Sequence, residues 1–257
     1  MNILCIGDVC GSVGTDYLMR TLPNLKREKK IDFVIANGEN SADGNGIIPH
    51  SAERLFAAGV DVITGGNHTF RRKEIFDYLA ENEYLLRPAN MPKSAPGRGY
   101  GLFDCGRAFV GVINLLGTTY MESMDCPFRT AKELVNQLKS KGAKIILVDF
   151  HAEATSEKRA LGFFLDGEVS AVFGTHTHVQ TADEQILENG TGYITDLGMT
   201  GPCHSVLGVK PEIVISKFTD RLPVRFDLAS GECKLNAVLF SIDNGSGRTT
   251  NIERIII

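Results

Sequence analysis

A mixed α/β sandwich is the fold class this sequence predicts, and three features predict it. Short apolar, β-rich runs alternate with amphipathic segments through the first half. In the middle, the apolar runs IILVDF and AVFG are separated by a further helical pattern, and the carboxyl-terminal part reads as successive strands. Strand-then-helix alternation of this kind builds βαβ units and a mostly parallel sheet covered by helices.

NILCI opens the chain as a strand, followed by a helix through YLMRTLPNLKREKK, in which Pro23 must lie near the start or at a kink because it has no N–H to donate. FVIAN leads into the helical segment SAERLFAAG, and VIT leads into RKEIFDYLAEN. YGLFDCGRAFVGVIN predicts a hairpin turning at Cys105, Gly106 and Arg107. AKELVNQLKSKG has a helical pattern, IILVDF reads as a buried strand, SEKRALGFFL as a helix and AVFG as a strand. The segments ITDLG, RFDLASGECKLNAVLFSID and IERIII are expected as antiparallel strands. No Pro- or Ser-rich linker, low-complexity run or internal repeat divides the chain, so one domain over residues 1–257 is expected.

The 27 Lys and Arg against 31 Asp and Glu leave a net charge of −4, which offers no basic stripe for a long nucleic acid. A small anionic substrate stays open, because the charge inside a metal site need not follow the net charge. The amino terminus passes from Met1 into an apolar run without a signal-peptide pattern, and no run approaches the length of a bilayer span. A cytoplasmic protein without membrane attachment is therefore expected, and a homo-oligomer is compatible with the sequence. The six cysteines form no CxxC and read as free thiols, mostly small core residues.

Chemistry in open α/β sheets gathers beyond the carboxyl ends of the strands. NILCI is followed by Asp8, FVIAN by Glu39 and Asn40, VIT by Asn67 and His68, IILVDF by His151, and AVFGT by His176 and His178. Five strand ends thus deliver two carboxylates, amide oxygens and four of the six histidines to one crevice. Nitrogen and oxygen donors without a thiolate cluster suit manganese, iron or zinc. His176 and His178 would share a face if their strand continued, and would converge at its end if it did not. Taken singly, each residue has a plainer reading. Asp8 reads also as a helix N-cap, the stretch from Asn37 to Gly46 as a flexible turn-rich loop, and His151 as a satisfied core histidine.

The blocks GD, GEN, GGNH, DFHAE and GTHTHV, in that order, resemble the calcineurin-like metallophosphoesterases, and more closely their YmdB-type bacterial branch, which also carries the stretch seen here as TDLGMTGPCHSVLG. The resemblance runs from Asp8 to about Gly208 and implies an α/β/β/α sandwich of two mixed sheets flanked by helices. Cys10 stands where the wider superfamily has a histidine, and Glu39 where it has an aspartate; the YmdB-type branch shares both departures. The resemblance implies two divalent metal ions per chain, iron or manganese first and zinc as an alternative. Asp8, Glu39 and His178 would hold one, and Glu39, Asn67, His151 and His176 the other, with Glu39 bridging.

His68 is not a ligand in that scheme. It would sit over the metals as phosphate donor or general acid, a role suited to a side chain titrating near neutrality. Asn40 would orient Glu39 or bind phosphate. His204 is expected at the site entrance, His50 as a solvated helix-start residue, and Arg71 and Arg72 either on substrate or on a helix surface. Together these features predict a dinuclear phosphodiesterase acting on small phosphodiesters, 2′,3′-cyclic nucleotides by resemblance, through a metal-bridging hydroxide. The alternatives are a metal-stabilised regulatory scaffold with little turnover and, within enzymes, an amidohydrolase, whose HxH would come early rather than late.

Overall fold

In the computed structural model, which describes residues Met1–Ile257, the first apolar run forms β1 (Asn2–Ile6); β2 (Asp8–Val9) follows Gly7, and α1 (Gly11–Glu28) starts directly after Cys10. Next come β3 (Phe33–Asn37), α2 (Pro49–Ala57), β4 (Val62–Thr64), α3 (Ile75–Glu81) and β5 (Leu85–Leu86). The middle supplies β6 (Tyr100–Asp104), β7 (Phe109–Leu116), α4 (Pro127–Ser140), β8 (Ile145–His151), α5 (Thr155–Phe164) and β9 (Ala171–Thr175). The remainder comprises β10 (Gln185–Ile186), β11 (Gly192–Ile194), β12 (Met199–Pro202), α6 (Pro211–Asp220), β13 (Cys233–Lys234), β14 (Asn236–Ile242) and β15 (Thr249–Ile256).

These strands make two six-stranded sheets, ordered β15-β14-β1-β3-β4-β5 and β10-β11-β9-β8-β7-β6, and a small third sheet, β13-β12-β2. Both large sheets are mixed: β1, β3, β4 and β5 run parallel in the first, and β7, β8, β9 and β11 in the second, with antiparallel strands at the edges. Three apolar clusters give the layering. Ile3, Cys5, Ile35 and Val62 of the first sheet pack with Val112, Leu147 and Phe173 of the second. The other face of the first sheet, with Leu4, Ile6 and Val34, is covered by Leu18 and Leu22 of α1 and Leu55 of α2. The other face of the second, with Ile146 and Val148, is covered by Val135 and Leu138 of α4 and Leu161 of α5. The result is the α/β/β/α sandwich.

Strand alternation explains where polar residues enter this core. Side chains two apart share a face, so the row Ile145, Leu147 on β8 continues between the sheets as Asp149 and His151. In the same way Phe33 and Ile35 lead to Asn37, Val62 to Thr64, Val112 to Asn114, and Phe173 to Thr175. At the carboxyl ends of five neighbouring strands the inter-sheet face therefore changes from apolar to polar, and all these side chains are buried.

Several expectations need correction. α1 begins at Gly11, well before the expected start, because its first N–H groups find acceptors in the loop after β3: Gly11 donates to the Asn40 carbonyl at 2.8 Å and Ser12 to Asp43 Oδ1 at 2.8 Å. Asp8 is accordingly no N-cap, and Pro23 lies inside the helix. Residues 37–46 are a fastened segment rather than a loose loop, since Arg72 also donates to the carbonyls of Asp43 and Asn45. ITDLG is strand only at its first residue, Ile194, which ends β11, a strand antiparallel to β10 but parallel to β9, and Asp196 then turns the chain. Of RFDLASGECKLNAVLFSID only β13 and β14 are strand, and α6 has no counterpart among the expected elements.

Leu147 is wholly buried between the sheets. Leu147→Ala is expected to lower unfolding stability by about 3 kcal/mol, the middle of the range for such cavities, read from the shift of the urea midpoint at constant m-value.

Candidate metal centre

Beyond the polar ends of β3, β4, β8 and β9 lie the carboxylates Asp8 and Glu39 and the imidazoles His151, His176 and His178. Glu39, His151 and His176 each offer a donor atom, and these atoms lie within 4.8 Å of one another. Around His151 Nε2 stand Asn67 Oδ1 at 3.0 Å, His176 Nδ1 at 3.1 Å and Glu39 Oε1 at 3.2 Å. His178 Nε2 stands 3.6 Å from Asp8 Oδ1 and 3.5 Å from Asn40 Nδ2. Gly66 is required here, because a Cβ on it would come within 2.3 Å of Glu39 Oε2 and 2.4 Å of the His151 ring.

The outer hydrogen bonds set the tautomers. Thr175 Oγ1 donates to Asp149 Oδ1 at 2.7 Å and therefore accepts from His151 Nδ1 at 2.9 Å. Asp149 also accepts from Thr64 Oγ1 and from Asn37 Nδ2. His176 Nε2 pairs with Glu153 Oε2 at 3.0 Å, and His178 Nδ1 donates to the Leu207 carbonyl at 3.2 Å. Each imidazole thus spends one nitrogen on an outer partner, the arrangement that orients metal-binding histidines. The nitrogens left over are bare. In their neutral tautomers His151 Nε2 and His176 Nδ1 then face each other, with Asn67 and Glu39 oxygens alongside, as four acceptors. Asp8 Oδ1 adds a buried oxygen with no hydrogen-bond partner. Lone pairs converging with few donors among them point to a cation site, and this oxygen and nitrogen set fits a divalent cation.

The ionisation balance carries the same message. Burial works to raise Asp8 and Glu39, yet His178 and His151 for the first, and His151 and His68 for the second, hold both carboxyls below their ordinary values. Burial works against a charge on His151, but Glu39 and Asp8 lift it above the ordinary imidazole value. Burial and then the neighbouring His151 push His176 down to about 4. Burial, helped by the nearby Asp8 charge, raises Asp149 to about 6 against the pull of its Thr64 hydrogen bond. The two buried carboxylates are thus balanced by His151, His178 and His68, while His176 is held toward its neutral form.

The HxH pair reaches the centre by a turn, not along a strand. β9 stops at Thr175, and both His176 (φ 102°) and His178 (φ 63°) adopt left-handed backbone conformations, which cost about 1–3 kcal/mol each. What holds the turn is Thr177 between them: its N–H and Oγ1 both donate to Asp196 Oδ2, at 3.1 and 2.7 Å. The same oxygen lies 2.6 Å from Lys158 Nζ in an ion pair with both side chains buried. Asp196 lies in the quoted stretch TDLGMTGPCHSVLG, but its role there is not legible in the sequence, and Lys158 is marked only as a lysine within a helical run. Motif spacing does not reveal Asn114 either. It takes the Gly65 N–H at 3.0 Å and returns a hydrogen bond to the Gly65 carbonyl at 3.1 Å, fastening the segment that carries Asn67 and His68.

His68 is half-buried, donates its backbone N–H to Glu39 Oε2 at 2.8 Å, and directs Nδ1 to Asn40 Oδ1 at 2.9 Å. Asn40 in turn donates to Glu39 Oε1 at 3.1 Å. His68 Nε2 has no protein partner. Cys10 is buried with Sγ 3.6 Å from His178 Nδ1, on the outer side of that ring. His204 is exposed and does not line the cleft, whereas its neighbours Val206 to Val209 do. His50 is exposed at the start of α2, as expected. Arg71 is exposed, and Arg72 serves the loop after β3. The centre opens into a cavity of about 390 Å³, reached past Glu39, Asn40, His68, His176 and His178.

Sandwich and donor set together define a metallophosphoesterase of the calcineurin-like class. Its fold is shared with a 5′-nucleotidase precursor from Thermus thermophilus (TM-score 0.59, 13% identity), whose chain is matched over 54% of its length by all of this one. The chain belongs to the YmdB-like protein family, which matches residues 4–255. A relative from Bacillus subtilis strain 168, named 2′,3′-cyclic-nucleotide 2′-phosphodiesterase, is 48% identical over 257 residues, covering 100% of this chain and 97% of its own. A crystal structure of a protein described as a novel phosphatase, from Mycoplasma pneumoniae, superposes with a TM-score of 0.94 at 36% identity, covering 100% of this chain and 93% of that one. No helix is long and apolar enough to cross a membrane.

Thr175→Val keeps the shape of the side chain but cuts the link from His151 to Asp149. Metal affinity is expected to fall roughly 10- to 100-fold, with Thr175→Ser close to the parent protein, in titrations against a competing chelator.

Proposed function

We propose that this protein is a metal-dependent phosphodiesterase whose substrates are 2′,3′-cyclic nucleotides. The observation that carries the reading is the convergence of Glu39, His151 and His176 donors within 4.8 Å, beside a histidine whose Nε2 is uncommitted, at the floor of a cavity of molecular size. The name borne by the relative from Bacillus subtilis supports the choice of substrate. Asp8, Glu39 and His178 would hold one divalent cation, and Glu39, Asn67, His151 and His176 a second. Such cations supply Lewis acidity, offsetting the charge of the diester and making an attacking water acidic.

The chain's own residues do the rest. Glu39 would be the carboxylate shared by the two cations, and its Oε2 is kept in line by the His68 N–H. Asn40 bridges Glu39 and His68 and so orients the imidazole; its Nδ2 also lies 3.5 Å from His178 Nε2. With Nδ1–H committed to Asn40, His68 presents Nε2 to the cleft. As the imidazolium it donates there to a phosphate oxygen or to the ribose oxygen as the P–O bond breaks. Cys10 lies on the far side of His178 and packs rather than coordinates.

Metal analysis coupled to a panel of cyclic, linear and monoester phosphates tests this reading; one structural metal and no turnover across the panel would sink it. Glu39→Gln is expected to lose both metal and activity, because an amide cannot balance two cations; full occupancy with normal turnover would remove Glu39 from the bridge. His68→Ala should retain both metals while kcat falls by roughly 10²–10⁴. The loss shrinks on bis-nitrophenyl phosphate, whose leaving group needs little protonation, if the role is general acid. It persists on both substrates if the role is phosphate stabilisation.

A further inference from the structure

The cavity has two unlike walls. One carries the donors described above. The other is built by the loop at residues 206–209, by Val214, Lys217 and Phe218 of α6, and by Phe226 and Leu228. Phe218 is 65% exposed and Phe226 41%, and with Val206 and Leu207, also exposed, they line one side of the cavity as an apolar patch. Lys217 Nζ lies 4.6 Å from the centroid of the Phe226 ring, which ties that ring to α6.

This wall carries almost no means of reading a hydrogen-bonding edge. The N–H groups of Val206 and Val209 bond to each other's carbonyls at 2.8 and 3.0 Å, and the Gly208 N–H goes to Ser205 Oγ at 3.1 Å. The Gly208 carbonyl accepts from Ala229, and the Leu207 carbonyl from His178. Apart from the Lys217 ammonium over the Phe226 ring, what remains is apolar and aromatic surface, contiguous with the site where the phosphate would be held.

We propose that this wall is the nucleobase subsite, and that it recognises the base by stacking and apolar contact rather than by its edge. The inference rests on the phosphodiesterase reading and deepens it: with the cyclic phosphate at the donor wall, the base lies against Phe226, Phe218 and Leu228. Every base has a π-face, so the subsite takes all four with preferences within roughly tenfold. Edge readout would give far steeper discrimination, on the order of 10⁴ or more.

The test compares the parent protein with Phe226→Ala, Phe226→Tyr and Phe218→Ala, all loaded with manganese, on the four 2′,3′-cyclic nucleotides and on base-free glycerol 1,2-cyclic phosphate. The ratio of kcat/KM for cyclic nucleotide to that for the base-free diester is expected to fall roughly tenfold in each alanine variant, mainly through KM, with Phe226→Tyr restoring it. A ratio equal to the parent's in both alanine variants, or a preference among bases steeper than stated, overturns the subsite. If the parent hydrolyses neither class of diester, the phosphodiesterase reading itself fails, and calorimetric binding of adenosine 3′-monophosphate decides the subsite separately. Binding weakened about tenfold by Phe226→Ala upholds it; equal binding, or none to the parent, overturns it.

Discussion

Everything at this centre depends on keeping carboxylates buried between two apolar sheets. Asp8, Glu39 and Asp149 are each 1% exposed or less, where an isolated charge would cost several kcal/mol. Asp149 is met by hydroxyls from β4 and β9 and an amide from β3, so a single carboxylate ties strands from both sheets together. Asp8 and Glu39 are met only partly by hydrogen bonds, and the imidazoles make up the difference. The deficit is what suits the spot to a cation: a fully satisfied polar layer would have no need of a metal.

The second sheet contributes its histidines by two routes that differ in cost. His151 is the last residue of β8 and inherits its direction from the pleat, so the backbone is unstrained. His176 and His178 leave the sheet through a turn with two left-handed residues, and the chain needs the buried Lys158–Asp196 pair to keep them there. Buried ion pairs add little net stability but are expensive to break, which suits a role in holding a particular local geometry. The same Asp196 follows β11 and accepts from Gly198, so the turn, the strand and the segment leading to β12 meet at one carboxylate. Through β12 this reaches β2 and Asp8, whose N–H bonds to the Gly198 carbonyl.

The cleft is correspondingly divided. Its floor is polar, supplied by strand ends from both sheets, while its side wall is mostly apolar and belongs to a peripheral helix and loop. The two meet at Leu207, whose side chain faces the cavity and whose carbonyl receives the outer nitrogen of His178. Leu207 is itself left-handed (φ 54°). The substrate proposed above, an anionic ring with an aromatic appendage, would meet both surfaces at once.

Much of this was legible in the sequence because both the sheets and the donors obey short-range rules. Alternating apolar runs located the large sheets, and the polar residues just past NILCI, FVIAN, VIT, IILVDF and AVFG are all brought to one crevice. Residues that act across the chain were not legible. Thr64, Asn114, Thr175 and Asp149 look like ordinary strand-end residues until β4, β7, β8 and β9 are aligned, and Lys158 looks like a surface lysine of an amphipathic helix. α6 is missing from the sequence-based expectations although Pro211 at its first turn is a usable signal. By itself, then, the sequence determined the strand pattern and the identity of the donors, since periodicity and side-chain chemistry are local properties. Only the tertiary structure decided which nitrogen each histidine turns inward, how the HxH pair bends to the centre, and what forms the opposite wall, because those depend on hydrogen bonds and contacts between residues far apart in the chain.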